Sequence, residues 1–252
     1  MNKSEVTVVI PIYKTALLDF EITSLNRCIE ILGQYSIVFV QPESLDASAI
    51  NFEGRITSEK FPDHYFKNVF GYNRLMLTDS FYERFTDSKY ILIYQLDAYV
   101  FKDELLYWCS KNYDYIGAPW IASPNTGIKK ILSLFDSKRK KERSKIFYKV
   151  GNGGLSLRKV NSHIAIAKKM KSVIEENLNR SKDDFRIMED VFWSSIPDQD
   201  PTFLIPNYEE ALGFAFDRKP ELALKLNNHN LPFGCHGFEK TKVKDFWAKI
   251  IT

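Results

Sequence analysis

Three separate points of the chain carry residues that could bind a cation or move a proton. Asp97 follows an apolar run that begins at Tyr90, Glu189 and Asp190 are adjacent, and His236 lies in a glycine-flanked segment. Carboxylate oxygens and imidazole nitrogens bind divalent cations, and hard cations prefer the carboxylates. A carboxylate within hydrogen-bonding reach of a hydroxyl can also serve as its general base. These residue types therefore indicate cation binding at Asp97 with His236, and proton transfer at Glu189 or Asp190.

Each of these groups also has a purely structural explanation. An aspartate at the end of a strand can simply be solvated. Two acidic residues in the first turn of a helix complement the helix dipole and cap its free amides, which would explain Glu189 and Asp190. A single histidine more often makes a structural hydrogen bond than a metal contact. The residue types alone leave both interpretations open.

A glycine-rich segment is the second informative feature. Within Val150–Arg158, three glycines fall in four residues, directly before an alternating Leu-Ser-Leu. Such glycines are typical of backbone that approaches a ligand closely or adopts unusual dihedral angles. The segment matches neither of the phosphate-cradling patterns GxxxxGK(S/T) and GxGxxG.

The elements that must position these residues begin with a βαβ unit. Val6–Tyr13 is a β-branched run closed by Pro11, Leu17–Leu32 has apolar residues at helical spacing, and Tyr35–Val40 is a second strand-like run. Such a unit is right-handed and predicts a parallel sheet. Ligands bind these sheets at the carboxyl ends of the strands, so we expect Pro11 and Tyr13 to face the ligand.

The run Tyr90–Phe101 is predicted to supply the central strand. Its first half is almost continuously apolar, as in a strand buried on both faces, and Asp97 follows at its C-terminal end. A helix pair is predicted before it, between residues 67 and 85. In this pair Tyr72 and Asn73 either face a base or phosphate or pack on the surface.

Further predictions concern the later part of the chain. Trp120 follows a Gly-Ala-Pro turn, and is either a stacking platform for a sugar ring or a core residue. We predict one long helix over about Lys159–Leu178, a strand or turn over Glu210–Asp217, and a compact turn around His236.

Composition limits the class of protein. The chain has 252 residues, 44% of them hydrophobic, which suffices for one large α/β domain. A net charge of +3 is too small to argue for nucleic-acid binding. The three cysteines (Cys28, Cys109 and Cys235) are widely spaced, and predict reduced thiols in a cytosolic protein. Neither a signal peptide nor an apolar run of about 20 residues, the length of a membrane span, is apparent.

A basic run covers residues 138–149, with seven basic residues and one acidic one. Most such runs are solvated loops or helix faces. The alternatives are attraction to anionic lipid, in which the neighbouring Ile146 and Phe147 could take part, and steering of an anionic substrate.

Taken in order, five short motifs resemble nucleotide-sugar glycosyltransferases of the GT-A fold. They are Val8–Tyr13, Tyr94–Asp97, Gly151–Arg158, Glu189–Trp193 and Pro232–Gly237. The chain looks most similar to a little-characterised bacterial and fungal group with a glycosyltransferase-like domain of unassigned substrate. The resemblance implies one GT-A (Rossmann-like) α/β domain over residues 1–252, with a central, mostly parallel mixed sheet flanked by helices.

The resemblance also implies a cation on the diphosphate of the donor. In GT-A enzymes an Asp-X-Asp motif after the central strand holds Mn²⁺ or Mg²⁺. Here the motif is Asp97-Ala98-Tyr99, so only its first carboxylate is present. Asp97 and His236 are the implied metal ligands. Alternatively, basic residues such as Arg158 neutralise the diphosphate and no metal is needed.

Further roles follow from the same resemblance. Asp190 is the implied catalytic base, with Glu189 as the alternative, and the implied course is inversion, although a retaining course stays open. The implied donor-binding residues are Pro11, Tyr13, Tyr72, Asn73, Gln95, Asn152, Gly153, Gly154 and Arg158. The implied acceptor-binding residues are Trp120 and Trp193.

The expected partners are a nucleotide-sugar donor and a glycan or lipid-linked oligosaccharide acceptor. The expected location is the cytoplasm, either free or at the inner face of the membrane through residues 138–149. One alternative is a non-catalytic module that binds a nucleotide or sugar on the same fold. Another is a nucleotidyltransferase, against which stands the lack of a glycine-rich, basic loop directly after the first strand.

Overall fold

The structure, a computed structural model, describes residues 1–50, 56–123, 144–180 and 188–251. The strands in these ranges are β1 (Val6–Pro11), β2 (Ser36–Pro42), β3 (Ile56–Phe61), β4 (Tyr90–Tyr94), β5 (Ala98–Val100), β6 (Tyr115–Gly117), β7 (Leu155–Lys159), β8 (Ala215–Phe216) and β9 (Gly234–His236). The helices are α1 (Asp19–Leu32), α2 (Val69–Met76), α3 (Asp79–Glu83), α4 (Leu105–Ser110), α5 (Val160–Lys169), α6 (Lys171–Leu178), α7 (Glu189–Ser195), α8 (Tyr208–Phe214), α9 (Pro220–Leu226) and α10 (Lys244–Trp247).

The main sheet confirms the predicted fold class. Within the described ranges it has six strands in the order β3-β2-β1-β4-β7-β6. β1 pairs in parallel with both β2 and β4, and β2 with β3, whereas β7 runs antiparallel to β4 and β6. Every residue of β4 is fully buried, as its continuous apolar sequence predicts for a central strand covered on both faces.

A small second sheet brings distant parts of the chain to the end of β4. It has the order β5-β9-β8, and β5 begins immediately after Asp97. In the antiparallel β5–β9 pair, Ala98 lies opposite His236, while β8 runs parallel to β9 and ends just before Asp217. The pairing therefore places His236 and Asp217 close to Asp97.

Helix α1 holds the second sheet against the first. The Ser24 hydroxyl donates to the Ala98 carbonyl at 2.6 Å. The Arg27 guanidinium donates to the carbonyls of Val100 and Phe101 at 2.9 and 2.8 Å. Because α1 is covalently linked to β1 and hydrogen-bonded to β5, it fixes the position of the segment that carries Asp97.

Three sequence-based predictions about secondary structure are wrong in detail. The helix predicted over Lys159–Leu178 is two helices, α5 and α6, that meet at Met170. The strand or turn predicted over Glu210–Asp217 is mostly helix α8, whose first turn is capped by Asn207. The compact turn predicted around His236 contains strand β9.

The three cysteines are buried free thiols. Of the basic run 138–149, residues 138–143 lie outside the described ranges, so the predicted membrane contact stays a prediction. None of the helices in the described ranges has the length and apolar character needed to cross a membrane.

Candidate active site

A cavity of about 750 Å³ lies at the carboxyl ends of β1 and β4. It brings together most of the residues that the sequence singles out. Those that line it are Pro11, Tyr13, Tyr72, Asn73, Gln95, Asp97, Trp120, Asn152, Gly153, Gly154, Glu189, Asp190 and His236. Arg158 and Trp193 do not line it.

Asp97 and His236 form an ion pair in the wall of this cavity. Asp97 Oδ1 lies 3.0 Å from His236 Nε2, and Asp97 Oδ2 lies 3.4 Å from Lys240 Nζ. Burial works against ionisation of Asp97, yet His236 and Lys240 lower its pKa to about 2. The carboxylate is therefore charged at neutral pH and presents a negative group to any bound cation.

The other side of the His236 ring is also held. Its Nδ1 atom lies 3.4 Å from Asp217 Oδ1 and 3.1 Å from the side-chain nitrogen of Asn152. Burial alone lowers the pKa of the imidazole, but Asp97 and Asp217 raise it to about 9. Two carboxylates, one at each ring nitrogen, thus fix the orientation of His236.

Asp97 and His236 fit the divalent cation that the resemblance implies. Neighbouring ligand atoms of an octahedral Mg²⁺ ion lie about 3.0 Å apart, because each bond is about 2.0–2.1 Å long. The separation of Asp97 Oδ1 and His236 Nε2 has this value, so a cation there would replace the Nε2 proton that the two groups share in the ion pair. Metal-binding histidines commonly donate their second ring N–H to a carboxylate, which is the position of Asp217. No group of three or more His, Cys, Asp or Glu side chains in the described ranges is arranged to hold a metal.

Glu189 and Asp190 open helix α7 but have different surroundings. Glu189 is buried, and its two carboxylate oxygens lie 3.0 and 2.9 Å from the guanidinium nitrogens of Arg158. The Glu189 backbone N–H donates to the Asn73 side-chain oxygen at 2.7 Å. Asn73 therefore caps α7 from helix α2, and Glu189 is committed to an internal ion pair.

Asp190 faces the cavity, and none of the basic side chains in the described ranges is in direct contact with its carboxylate. Its Oδ1 atom accepts a hydrogen bond of 2.8 Å from the Val191 backbone N–H. Burial and the negative charge of Glu189 raise the pKa of Asp190 to about 7. A carboxylate with a pKa near neutrality is suited to general base catalysis, because it is both ionised and basic at working pH.

The structure does not place Arg158 in the cavity, where the prediction has it neutralise a diphosphate. Its side chain is 0% exposed. The guanidinium donates to the Ser156 hydroxyl at 3.0 Å and to the Tyr82 hydroxyl at 2.9 Å, and it pairs with Glu189. Arg158 therefore lies behind the cavity wall, where its charge neutralises that of Glu189.

Trp193 does not fit its predicted role at the acceptor either. Its side chain is fully buried, and its ring packs edge-on against Tyr82 and stacks with Phe203. The indole N–H points to the Met76 carbonyl at 3.3 Å. Trp193 is thus a core residue of helix α7. Trp120, in contrast, lines the cavity and remains available for the predicted acceptor contact.

The glycines of the segment before β7 approach side chains of the site. A Cβ atom on Gly153 would overlap Glu189 Oε1, and one on Gly154 would overlap His236 Nε2. Asn152 has a left-handed backbone (φ 63°), and its side-chain oxygen accepts from the Gly154 N–H at 3.1 Å. The glycine-rich sequence therefore allows both carboxylate and imidazole to lie directly against the backbone.

The cavity also contains basic residues that the sequence analysis did not single out. They are Lys14, Lys67, Arg218 and Lys240. Isolated lysines and arginines are common on protein surfaces, so their types and spacing gave no signal. Their presence in the cavity makes it suitable for an anionic ligand, and Lys240 lies 3.4 Å from Asp97.

The raised pKa of Asp190 predicts a pH-dependent effect on stability. The folded-state pKa of about 7 exceeds the ordinary value of 3.8, so the stability that this group contributes is complete below pH 3.8 and is lost as pH rises through 7. Asp190→Asn cannot ionise. We therefore expect it to be more stable than the wild type by about 2–4 kcal/mol at pH 8, with little difference at pH 4.

Denaturant unfolding at the two pH values measures this effect. Asp87→Asn, which removes an exposed carboxylate, is the matched control. An Asp190→Asn difference of the same size at both pH values would contradict the assigned pKa shift.

Comparison with known proteins gives one family and one fold. The model of a family described as a protein of unknown function (DUF5672) matches residues 55–236. None of the curated proteins matches the chain in sequence.

Two solved structures share the fold of this chain. An active-site mutant of LgtC is 14% identical, with a TM-score of 0.55 and coverage of 98% of this chain and 91% of that chain. Mouse xyloside xylosyltransferase 1 is 9% identical, with a TM-score of 0.54 and coverage of 91% and 96%. LgtC is a galactosyltransferase. At these identities the likeness shows the GT-A glycosyltransferase fold.

Proposed function

The chain belongs to the DUF5672 family, which is described as being of unknown function, and for this member we propose the activity of a glycosyltransferase. The enzyme would move a sugar from a nucleotide-sugar donor to a hydroxyl of a glycan or lipid-linked acceptor. The observation that carries the proposal is the pairing, in one cavity of a GT-A fold, of the Asp97–His236 ion pair with an Asp190 carboxylate of pKa about 7.

The diphosphate of the donor would bind at the Asp97 side of the cavity. Lys240 lies 3.4 Å from Asp97 there, and Lys14 and Arg218 line the same cavity. Positive groups near a leaving diphosphate stabilise the negative charge that develops as the glycosidic bond breaks. A Mn²⁺ or Mg²⁺ ion held by Asp97 and His236 would supply further stabilisation of the same charge.

The nucleoside and sugar would extend along the ends of β1 and β4. Tyr13 follows β1 and is 61% exposed, so its ring is free to stack on a base. Gln95 and the Gly153–Gly154 backbone line the same cavity as Tyr13. Asn152 would position this backbone, because its side-chain oxygen accepts a hydrogen bond of 3.1 Å from the Gly154 N–H.

Asp190 would be the catalytic base. It would take the proton of the acceptor hydroxyl while the hydroxyl oxygen forms a bond to the anomeric carbon. The bonding electrons leave with the nucleoside diphosphate, through an oxocarbenium-like transition state. Glu189 is less suited to this role, because both of its oxygens pair with Arg158. Direct attack by the acceptor from the face opposite the leaving group gives inversion.

Nucleoside diphosphate release tests the proposal. The purified protein would be incubated with UDP-sugars and GDP-sugars, with and without Mn²⁺, and with glycan acceptors. We expect release from at least one donor, a loss of release in Asp97→Asn, and normal release in the surface control Asp87→Asn. Proton NMR of the product would report the configuration at the anomeric carbon.

Two outcomes would count against this function. Tight binding of a nucleotide or sugar without turnover under any condition would favour a non-catalytic binding module on the same fold. Retention of the anomeric configuration would overturn the role of Asp190 as a base in direct displacement.

A further inference from the structure

The motif after β4 leaves a cation site with one carboxylate. Tyr99 stands where an Asp-X-Asp motif would have its second acidic residue, and it lies in strand β5. Its side chain is buried and packs against Phe101 and Phe238. Tyr99 therefore contributes nothing to the cavity wall, and a divalent cation at Asp97 and His236 needs a further ligand from elsewhere.

Gln95 supplies an oxygen at the required place. Its side-chain Oε1 lies 3.3 Å from His236 Nε2, the ring nitrogen that lies 3.0 Å from Asp97 Oδ1. Both separations are close to the roughly 3.0 Å expected between neighbouring ligand atoms of an octahedral ion. The Gln95 backbone N–H donates to the Gly154 carbonyl at 2.8 Å, which fixes the residue at the end of β4.

The chemistry of the three atoms suits a hard cation. Carboxylate and amide oxygens are ligands of Mg²⁺, Mn²⁺ and Ca²⁺, and an imidazole nitrogen is common beside them. Asp217 lies at the opposite ring nitrogen of His236, so the ring can donate its Nδ1 N–H there, and a cation bound at Nε2 would take the place of the proton that Nε2 shares with the two oxygens. All three residues line the same cavity.

We propose that Gln95 Oε1 is a third protein ligand of a divalent cation bound by Asp97 and His236, so that Gln95-Leu96-Asp97 acts in place of the Asp-X-Asp motif. Water and, if the proposed function holds, the donor diphosphate complete the coordination. This ligand set carries one negative charge in place of two. The ion therefore binds weakly by itself and more tightly together with a nucleoside diphosphate.

Direct measurement of Mn²⁺ binding tests the proposal. The electron paramagnetic resonance signal of free Mn²⁺ would be followed during titration of the protein, with Mn²⁺ alone and with saturating UDP or GDP. Gln95→Leu keeps the approximate size and removes the oxygen, and we expect about tenfold weaker binding or more. Gln95→Glu adds a carboxylate and should bind Mn²⁺ alone more tightly than the wild type. Gln199→Glu makes the same change of charge at an exposed position and is the control.

Several results would overturn this assignment. One is an unchanged Mn²⁺ affinity in a folded Gln95→Leu variant, and another is a Gln95→Glu affinity no higher than that of the control. Absence of Mn²⁺ binding to the wild type under both conditions would also overturn it. The measurement needs no turnover. Cation binding through Gln95 without sugar transfer would defeat the proposed function alone, and transfer without cation binding would defeat the present inference alone.

Discussion

Asp190→Asn is expected to lower the rate of sugar transfer by about 10²–10⁴-fold, the usual contribution of a general base. Asparagine has nearly the same shape as aspartate, and its side-chain oxygen can still accept from the Val191 N–H. It cannot accept the acceptor proton. The groups proposed to bind the diphosphate are unaffected, so the affinity for UDP or GDP should match that of the wild type.

Initial rates and calorimetric binding of the nucleoside diphosphate measure the two parts of this expectation. The wild-type rate should rise with pH and level off above about 7, since only the ionised form of Asp190 accepts a proton. Asp198→Asn, at an exposed position, is a suitable control. If nucleotide affinity fell in parallel with the rate, Asp190 would be a ligand contact or a structural cap.

Arg158→Met is expected to destabilise the fold by about 3–5 kcal/mol, because it leaves a buried charge without its partner. The variant removes the ion pair with Glu189 and the hydrogen bonds to Ser156 and Tyr82. The double variant Arg158→Met with Glu189→Met should be more stable than Arg158→Met, since replacing both members of a buried pair by apolar groups is often neutral.

Denaturant unfolding of the single and double variants measures these differences. Arg84→Met provides the control, because Arg84 pairs with Glu59 at 3.4 Å on the surface, and such pairs contribute about 0–1 kcal/mol. If Arg158→Met and Arg84→Met lowered the free energy of unfolding by the same amount, the buried pair would contribute no more to stability than the surface pair.

Local sequence patterns predicted the main sheet well, because each of its first strands and the helix between them has a recognisable pattern within its own segment. The β-branched run at Val6, the helical spacing up to Leu32 and the apolar run at Tyr90 each specify one element, and βαβ geometry then specifies the parallel order. The second sheet was missed because its strands are only two or three residues long and are defined by their partners. Strand β9 exists because Gly234–His236 meets Ala98–Val100, far away along the chain.

In the candidate site, too, some features could be predicted from local sequence, and others depend on residues that are distant in the chain. Asp97, Asp190 and His236 were selected by residue type, and they lie around one cavity. Arg158 was assigned to the diphosphate of the donor because it is basic and belongs to one of the motifs that resemble GT-A glycosyltransferases. Its burial depends on Tyr82 and Glu189, which come from other segments and whose proximity no local pattern encodes.

The two glycines against which Glu189 and His236 pack are consecutive in the chain. Consecutive Cα atoms across a trans peptide are about 3.8 Å apart, a length that covalent geometry does not allow to vary. One peptide unit therefore fixes the distance between the backbone positions against which the Glu189 carboxylate and the His236 imidazole pack. A displacement of that unit would therefore reach the Glu189 carboxylate and the His236 imidazole together.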